Sequence, residues 1–210
     1  MLCPMKGRPP ARSTLIAIAI AVALGAPAAN TTGSATTREA PLRGVGLPNG
    51  RVAPSFTLRD QHGRSVSLDS LRMKGPVALV FSRSADWCLY CKMQLVQLQS
   101  NLHEIAAAGG QIVAVSYDSV GALKRFADRR AITFPLLSDV GSKTIDAYDV
   151  RSNGAPGEMG GIARHVTFII DQRGVICAKL FQVSYEERPA VEALLNALSQ
   201  ARSPNEGTTP

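Results

Sequence analysis

A chain of 210 residues with 45% apolar and 19% charged residues has the usage of a folded globular protein. That composition excludes an intrinsically disordered chain, and the length suits one hydrophobic core once both ends are set aside. The formal charge of +7 does not point to nucleic acid: Lys6, Arg8 and Arg12 belong to an N-terminal leader, no later basic run exceeds Arg129-Arg130, and no aromatic residues interleave with the basic ones.

The leader carries those three basic residues, then the apolar stretch Leu15 to Leu24, then small residues around Ala26-Pro27-Ala28. This is the layout of a secretory signal peptide over residues 1–28, cut after Ala28 or Ala29 and too short for a comfortable membrane span; an uncleaved anchor is the alternative. Both readings put the folded part outside the cytoplasm, in the periplasm for a bacterium, and the cleaved form has no stable membrane insertion. Cys3 would be lost with the leader, leaving Cys88, Cys91 and Cys177. Three cysteines do not make a disulfide scaffold, whereas a close pair with one outlier fits redox chemistry.

Residues 29–48 are rich in Thr, Ala, Gly and Pro without hydrophobic periodicity and read as a flexible linker. A domain is expected over 49–198 and a disordered tail over 199–210. Within the domain, Phe56 and Leu58, a Gln61-His62-Gly63 turn, then Val66 and Leu68 predict a short hairpin. A helical turn follows at Ser70 to Met73. Pro76 to Phe81 is a continuous apolar run, as in strands buried on both faces. Past Cys91, the spacing of Leu95, Leu98, Leu102 and Ile105 predicts one helix ending at Gly109-Gly110.

The pattern repeats with a strand over Gln111 to Ser116, a helix over Val120 to Arg130 and a short strand over Phe134 to Leu137. Strand and helix alternation implies βαβ units and a largely parallel sheet. A helix at Lys143 to Tyr148 precedes a glycine-rich loop, Gly154 to Gly161, read as a flap because it lacks the spacing of a nucleotide fingerprint. Val166 to Asp171 and Val175 to Phe181 predict a hairpin, their link being too short for anything else. A last helix over Arg188 to Leu198 turns Val191, Leu194, Leu195 and Leu198 inward.

Cys88 and Cys91 therefore fall where a buried strand hands over to a helix. The attacking species in thiol chemistry is the thiolate, and a helix start favours it through unpartnered amides and the positive end of the macrodipole, with Lys92 adding a cation. Two intervening residues bring both sulfurs to one helix end, close enough to form and break a disulfide. Structural zinc is excluded because no second CxxC or histidine pair completes four ligands, so no metal is expected. A purely structural disulfide remains as the alternative.

Trp87-Cys88-Leu89-Tyr90-Cys91-Lys92 resembles the WCxxCK motif of thioredoxins. The surroundings, Ala53-Pro-Ser-Phe-Thr-Leu58, Val113-Ala-Val-Ser-Tyr-Asp118, Phe134-Pro-Leu-Leu-Ser-Asp139 and Thr167-Phe-Ile-Ile-Asp171, resemble the alkyl hydroperoxide reductase and thiol-specific antioxidant branch, the peroxiredoxins. The resemblance implies an α/β thioredoxin fold, with a central mixed sheet flanked by helices and an N-terminal β-hairpin. Matched to the PxxxTxxC pattern of peroxiredoxins, Cys91 takes the peroxidatic position, Cys88 stands where the pattern has threonine, and Ser84 where it has proline.

That match implies a peroxidase in which Cys91 attacks a hydroperoxide, Cys88 closes a Cys88-Cys91 disulfide, and an external dithiol reductant resets it. Arg164 or Arg83 would steady the attacking thiolate, and His165 falls on or beside the position of the thioredoxin cis-proline. The thioredoxin match implies the alternative order, with Cys88 attacking a protein disulfide and Cys91 resolving. A binding or structural role without catalysis is the third reading. No cofactor is implied, since sulfur alone can do the chemistry.

Among the remaining candidates, Trp87 is expected to wall the site, while Tyr90 is as readily pocket-lining as surface. Asp86 is a possible cap of the helix or of the loop before it. Cys177 reads as a buried small apolar residue in a strand rather than a second resolving cysteine, and His62 and His103 as solvated.

Overall fold

The computed structural model describes residues 44–152, 161–181 and 190–202. Six helices and seven strands are described: β1 (Thr57–Asp60), β2 (Ser65–Ser67), α1 (Leu68–Arg72), β3 (Val77–Phe81), α2 (Leu89–Ser100), α3 (Leu102–Ala107), β4 (Gln111–Ser116), α4 (Val120–Arg130), β5 (Leu136–Ser138), α5 (Lys143–Ala147), β6 (Val166–Ile170), β7 (Ile176–Phe181) and α6 (Val191–Arg202). They build one mixed sheet in the order β2-β1-β5-β4-β3-β6-β7.

The apolar run of the third strand explains its central place. β3 pairs in parallel with β4 and antiparallel with β6, and every one of its residues is buried. Side chains alternate across a strand, so Val77, Leu79 and Phe81 enter one core layer with Tyr148 and Phe168, while Ala78 and Val80 enter the other with Leu95, Leu98, Ile169, Leu194 and Leu198. Phe81, Tyr148 and Phe168 meet with ring centroids 5.1–5.8 Å apart in tilted and edge-on arrangements. β4 and β5 continue in parallel, and the β1–β2 and β6–β7 hairpins close the two sides antiparallel. The expected mixed sheet flanked by helices, with its N-terminal hairpin, is therefore present, but it is not largely parallel: only β3–β4 and β4–β5 pair in parallel, because β6 returns antiparallel against β3 and the hairpins flank the sheet.

Three boundaries differ from the sequence expectation. The helix carrying the cysteines does not run through to Gly109: it breaks at Asn101 (φ −106°, ψ 19°) into α2 and α3. The Asn101 amide side chain donates to the Gln97 carbonyl, 2.8 Å away, and supplies the local partner that lets the chain leave the helix. Packed structure also begins inside the segment read as linker. Val45 is buried, and the Gly46 and Leu47 amides donate to the carbonyls of Asp149 and Tyr148.

At the other end, α6 continues to Arg202, inside the expected tail, because Ala201 is buried and the Arg202 side chain lies over Gly109. The leader and residues 153–160 of the glycine-rich loop lie outside the described residues. Among the described residues no helix is long and apolar enough to cross a membrane.

Candidate active site

The loop from Ser82 to Trp87 leads out of β3 and delivers Cys88 as the N-cap of α2. Cys88 has extended backbone angles (φ −80°, ψ 104°), and its sulfur accepts from the Cys91 amide at 3.4 Å, the role usually taken by a Ser or Asp oxygen. Asp86, a possible cap by sequence, does not take that position. Cys91 lies in the first turn. The two cysteines are joined as a disulfide with Cα atoms 5.3 Å apart, and both are buried, at 1% and 0% exposure.

No acidic residue stands in the first turn of α2 to offset the positive helix end. Lys92 bends back so that its Nζ donates to the Asp86 carbonyl at 3.0 Å. The cation predicted beside the dithiol is therefore anchored on the loop that precedes it. Once the disulfide is reduced, helix end and ammonium both favour a thiolate over a thiol.

Trp87 is 39% exposed and donates its indole N–H to the Tyr117 hydroxyl at 2.8 Å, so it stands at the rim with β4's outgoing chain behind it. Tyr90 is half-buried, and Leu89 and Met93 are exposed on the outer side of α2. Arg83 is half-buried in the loop before the cysteines.

Sheet register brings the second group of residues to the same place. Phe81 at the end of β3 pairs with Val166 at the start of β6, so Arg164 and His165 lie beside the chain that runs on toward the cysteines. His165 is buried, and its Nε2 is hydrogen-bonded to Oε1 of Gln94 on α2, one turn after Cys91. Arg164 is half-buried, fixed through its backbone amide to the Val150 carbonyl, and its Nε is buried without a hydrogen-bond partner among the described residues. The Ser82 hydroxyl is in the same condition.

Gln94 is a residue that reading the sequence missed. It sits three positions after Cys91 on the inward side of α2, between buried Cys91 and Leu95, and that spacing was the available signal. Cys177 is half-buried on β7, packed against the layer formed by α2 and α6, and His62 and His103 are exposed.

Residues 49–179 match the AhpC/TSA family. The chain belongs to the AhpC/TSA family. The match spans the dithiol, β6 and most of β7. Among curated relatives, this AhpC/TSA chain is similar to the chloroplastic peroxiredoxin Q of Oryza sativa subsp. japonica (31% identical over 131 residues, 62% of this chain and 57% of the relative). The corresponding protein of Triticum aestivum is 32% identical over the same shares.

The chain thus spans somewhat over half the length of those relatives. Among solved structures, the peroxidoxin BcpB of Mycobacterium tuberculosis superposes with a TM-score of 0.65 at 26% identity, over 76% of this chain and 99% of that one. Xanthomonas campestris peroxiredoxin Q shares the fold, with a TM-score of 0.59 at 24% identity over 68% and 89%. The thioredoxin-like architecture implied by the motifs is that of these peroxiredoxin structures.

Proposed function

We propose that this AhpC/TSA family chain is a thiol-dependent peroxidase that reduces hydroperoxides through Cys88 and Cys91. The observation that carries the reading is the Cys88–Cys91 pair at the amino end of α2, beside a sheet end where Arg164 Nε and Ser82 Oγ are buried without a hydrogen-bond partner among the described residues. Buried donors are ordinarily satisfied, and a bound oxygen compound supplies what these two lack.

In the forward direction the Cys91 thiolate attacks the terminal peroxide oxygen. The O–O bond breaks, water or an alcohol leaves with one proton, and Cys91 becomes a sulfenic acid. Arg164, with Arg83 as the other candidate, stabilises the negative charge on sulfur and on the departing oxygen. The Cys88 thiol then displaces hydroxide from the Cys91 sulfur, releasing water and closing the disulfide. An external dithiol reductant restores both thiols and is itself oxidised to a disulfide.

His165 positions its segment through Gln94, and Trp87 and Tyr90 border the approach. Both sulfurs are buried in the oxidised form, so attack by the reductant requires the first turn of α2 to open locally. The family relationship does not support protein disulfides as substrates. The leader-like N-terminus supports a reaction outside the cytoplasm, in the periplasm for a bacterium.

The test is steady-state consumption of hydrogen peroxide and an organic hydroperoxide with a small dithiol as electron donor. The reading requires consumption that depends on the dithiol and is abolished by Cys91→Ser. Consumption indifferent to both cysteines would reject it.

A further inference from the structure

The chain between β3 and α2 has to place Cys88 at the helix end, yet most of it is irregular and cannot rely on sheet or helix hydrogen bonds for its shape. Its polar groups converge on one side chain. Asp118 lies two residues past β4 and is 6% exposed. One carboxylate oxygen accepts from the Ser84 hydroxyl at 2.8 Å; the other accepts from the Ala85 amide at 2.7 Å and the Ser116 hydroxyl at 2.8 Å. The Ser84 oxygen in turn accepts from the amides of Asp86 at 2.9 Å and Trp87 at 3.3 Å. Asp118 is itself held from β5, where the Ser138 hydroxyl donates to its carbonyl at 2.7 Å.

We propose that Asp118 is a positioning residue of the dithiol site: its buried carboxylate, directly at Ala85 and through the Ser84 hydroxyl at Asp86 and Trp87, fixes the backbone that presents Cys88 to the start of α2. The inference rests on the dithiol being the reacting group and does not depend on which oxidant it meets.

Donor and acceptor counting shows why a carboxylate is needed. Three N–H or O–H groups point at Asp118, and a carboxylate donates nothing and accepts from all of them. The Ser84 hydroxyl gives its single proton to Asp118 and so has its lone pairs free for two amides. An asparagine at 118 turns an N–H2 toward one of these donors in either orientation. Facing Ala85, it meets a fixed amide. Facing Ser84, it makes the hydroxyl give up its present direction and competes with the amides of Asp86 and Trp87 for its oxygen. Ser84 stands where the family pattern has a proline, so the loop is held here by a hydroxyl and a carboxylate rather than by a ring.

The test compares wild type, Asp118→Asn, Ser84→Ala and the double variant, each first checked for cooperative unfolding. Three quantities are read: the rate of oxidation of the reduced protein by hydrogen peroxide, the pH titration of the thiolate by its ultraviolet absorbance, and amide hydrogen exchange at Asp86 and Trp87. Displacement of the reacting sulfurs by about 1 Å lowers the oxidation rate about 100-fold. The expectation is a loss of that order in Asp118→Asn, a smaller one in Ser84→Ala, and a double variant no slower than Asp118→Asn, because both act through one chain of contacts. Exchange at the two amides should rise in each variant, and the thiolate titration should move.

Ser84→Ala leaves Asp118 with two donors and serves if Asp118→Asn does not fold. Folded variants with unchanged oxidation rate, titration and exchange would overturn the proposal, as would a lowered melting temperature with all three preserved. A wild type slow toward peroxide would reject the peroxidase reading instead, and titration and exchange would still decide the role of Asp118.

Discussion

Truncating Gln94 to alanine tests the contact that joins the segment bearing Arg164 and His165 to the cysteine helix. Gln94 is 6% exposed, and its Oε1 is hydrogen-bonded to Nε2 of His165, itself 7% exposed. Removing one partner of a buried pair leaves the other to be desolvated without compensation, at about 1–3 kcal/mol. The truncated side chain also borders a small pocket lined by Val80, Leu98, Thr167, Leu180 and Leu194. A total of about 1–3 kcal/mol follows, or roughly 2–12 °C in melting temperature at about 2–4 °C per kcal/mol for a domain of this size.

Urea unfolding of wild type and Gln94→Ala, with Trp87 as probe, measures the difference directly, Trp87 being the single tryptophan. The same samples should be oxidised by peroxide more slowly, because Arg164 is next in the chain to the residue that loses its contact with α2 through Gln94. A stability loss below about 0.5 kcal/mol together with an unchanged oxidation rate would refute the reasoning, since surface substitutions stay within that range.

Gly46→Ala should destabilise by about 2–4 kcal/mol in chemical denaturation, because φ is +70° there and a Cβ would sit 2.6 Å from Phe168 Cζ in the aromatic cluster. Burial alone would raise the Asp60 carboxyl, but the Arg64 amide and guanidinium and the His62 amide outweigh it and hold the group below the usual carboxylate range. A depressed folded pKa contributes stability that is complete above the unfolded value of about 3.9 and is lost as pH falls through the folded one. Asp60→Asn should therefore unfold more easily at neutral pH and lose less further stability on acidification than wild type. Cys177→Ser should leave the rate of peroxide oxidation unchanged, because Cys177 lies on β7 among residues packed on α6 and outside the dithiol pair.

The elements most readable in the sequence were those whose signal is local. The uninterrupted apolar run before the cysteines marked β3, and the short polar link at Asp171 to Gly174 marked the β6–β7 hairpin. The dithiol was equally plain, as two cysteines at the spacing of one helical turn after a buried strand. What stayed hidden depends on partners far apart in the chain. Nothing near Val45 announces that it is buried, because the groups that receive this segment, Asp149 and Phe168 beside Gly46, are supplied by other elements.

Asn101 has ordinary helical neighbours, and its side-chain bond to Gln97 accompanies the end of α2 there. Gln94 and Asp118 are polar residues whose roles come from His165 and Ser84, each more than thirty positions away. Asp118 was visible only as part of a family-like string, and its use as the acceptor for the cysteine loop needed the sheet that sets β4 beside β3.

The central claim is that Cys91 is the sulfur that meets peroxide and Cys88 the one that resolves it. Single-turnover mixing of the fully reduced domain with hydrogen peroxide, followed by Trp87 fluorescence in wild type, Cys88→Ser and Cys91→Ser, tests it most directly. The account predicts rapid oxidation that persists in Cys88→Ser, stopping at a sulfenic acid, and disappears in Cys91→Ser. Rapid oxidation that survives loss of Cys91 but not of Cys88 would reverse the two roles, and slow oxidation in all three proteins would contradict the peroxidase account itself.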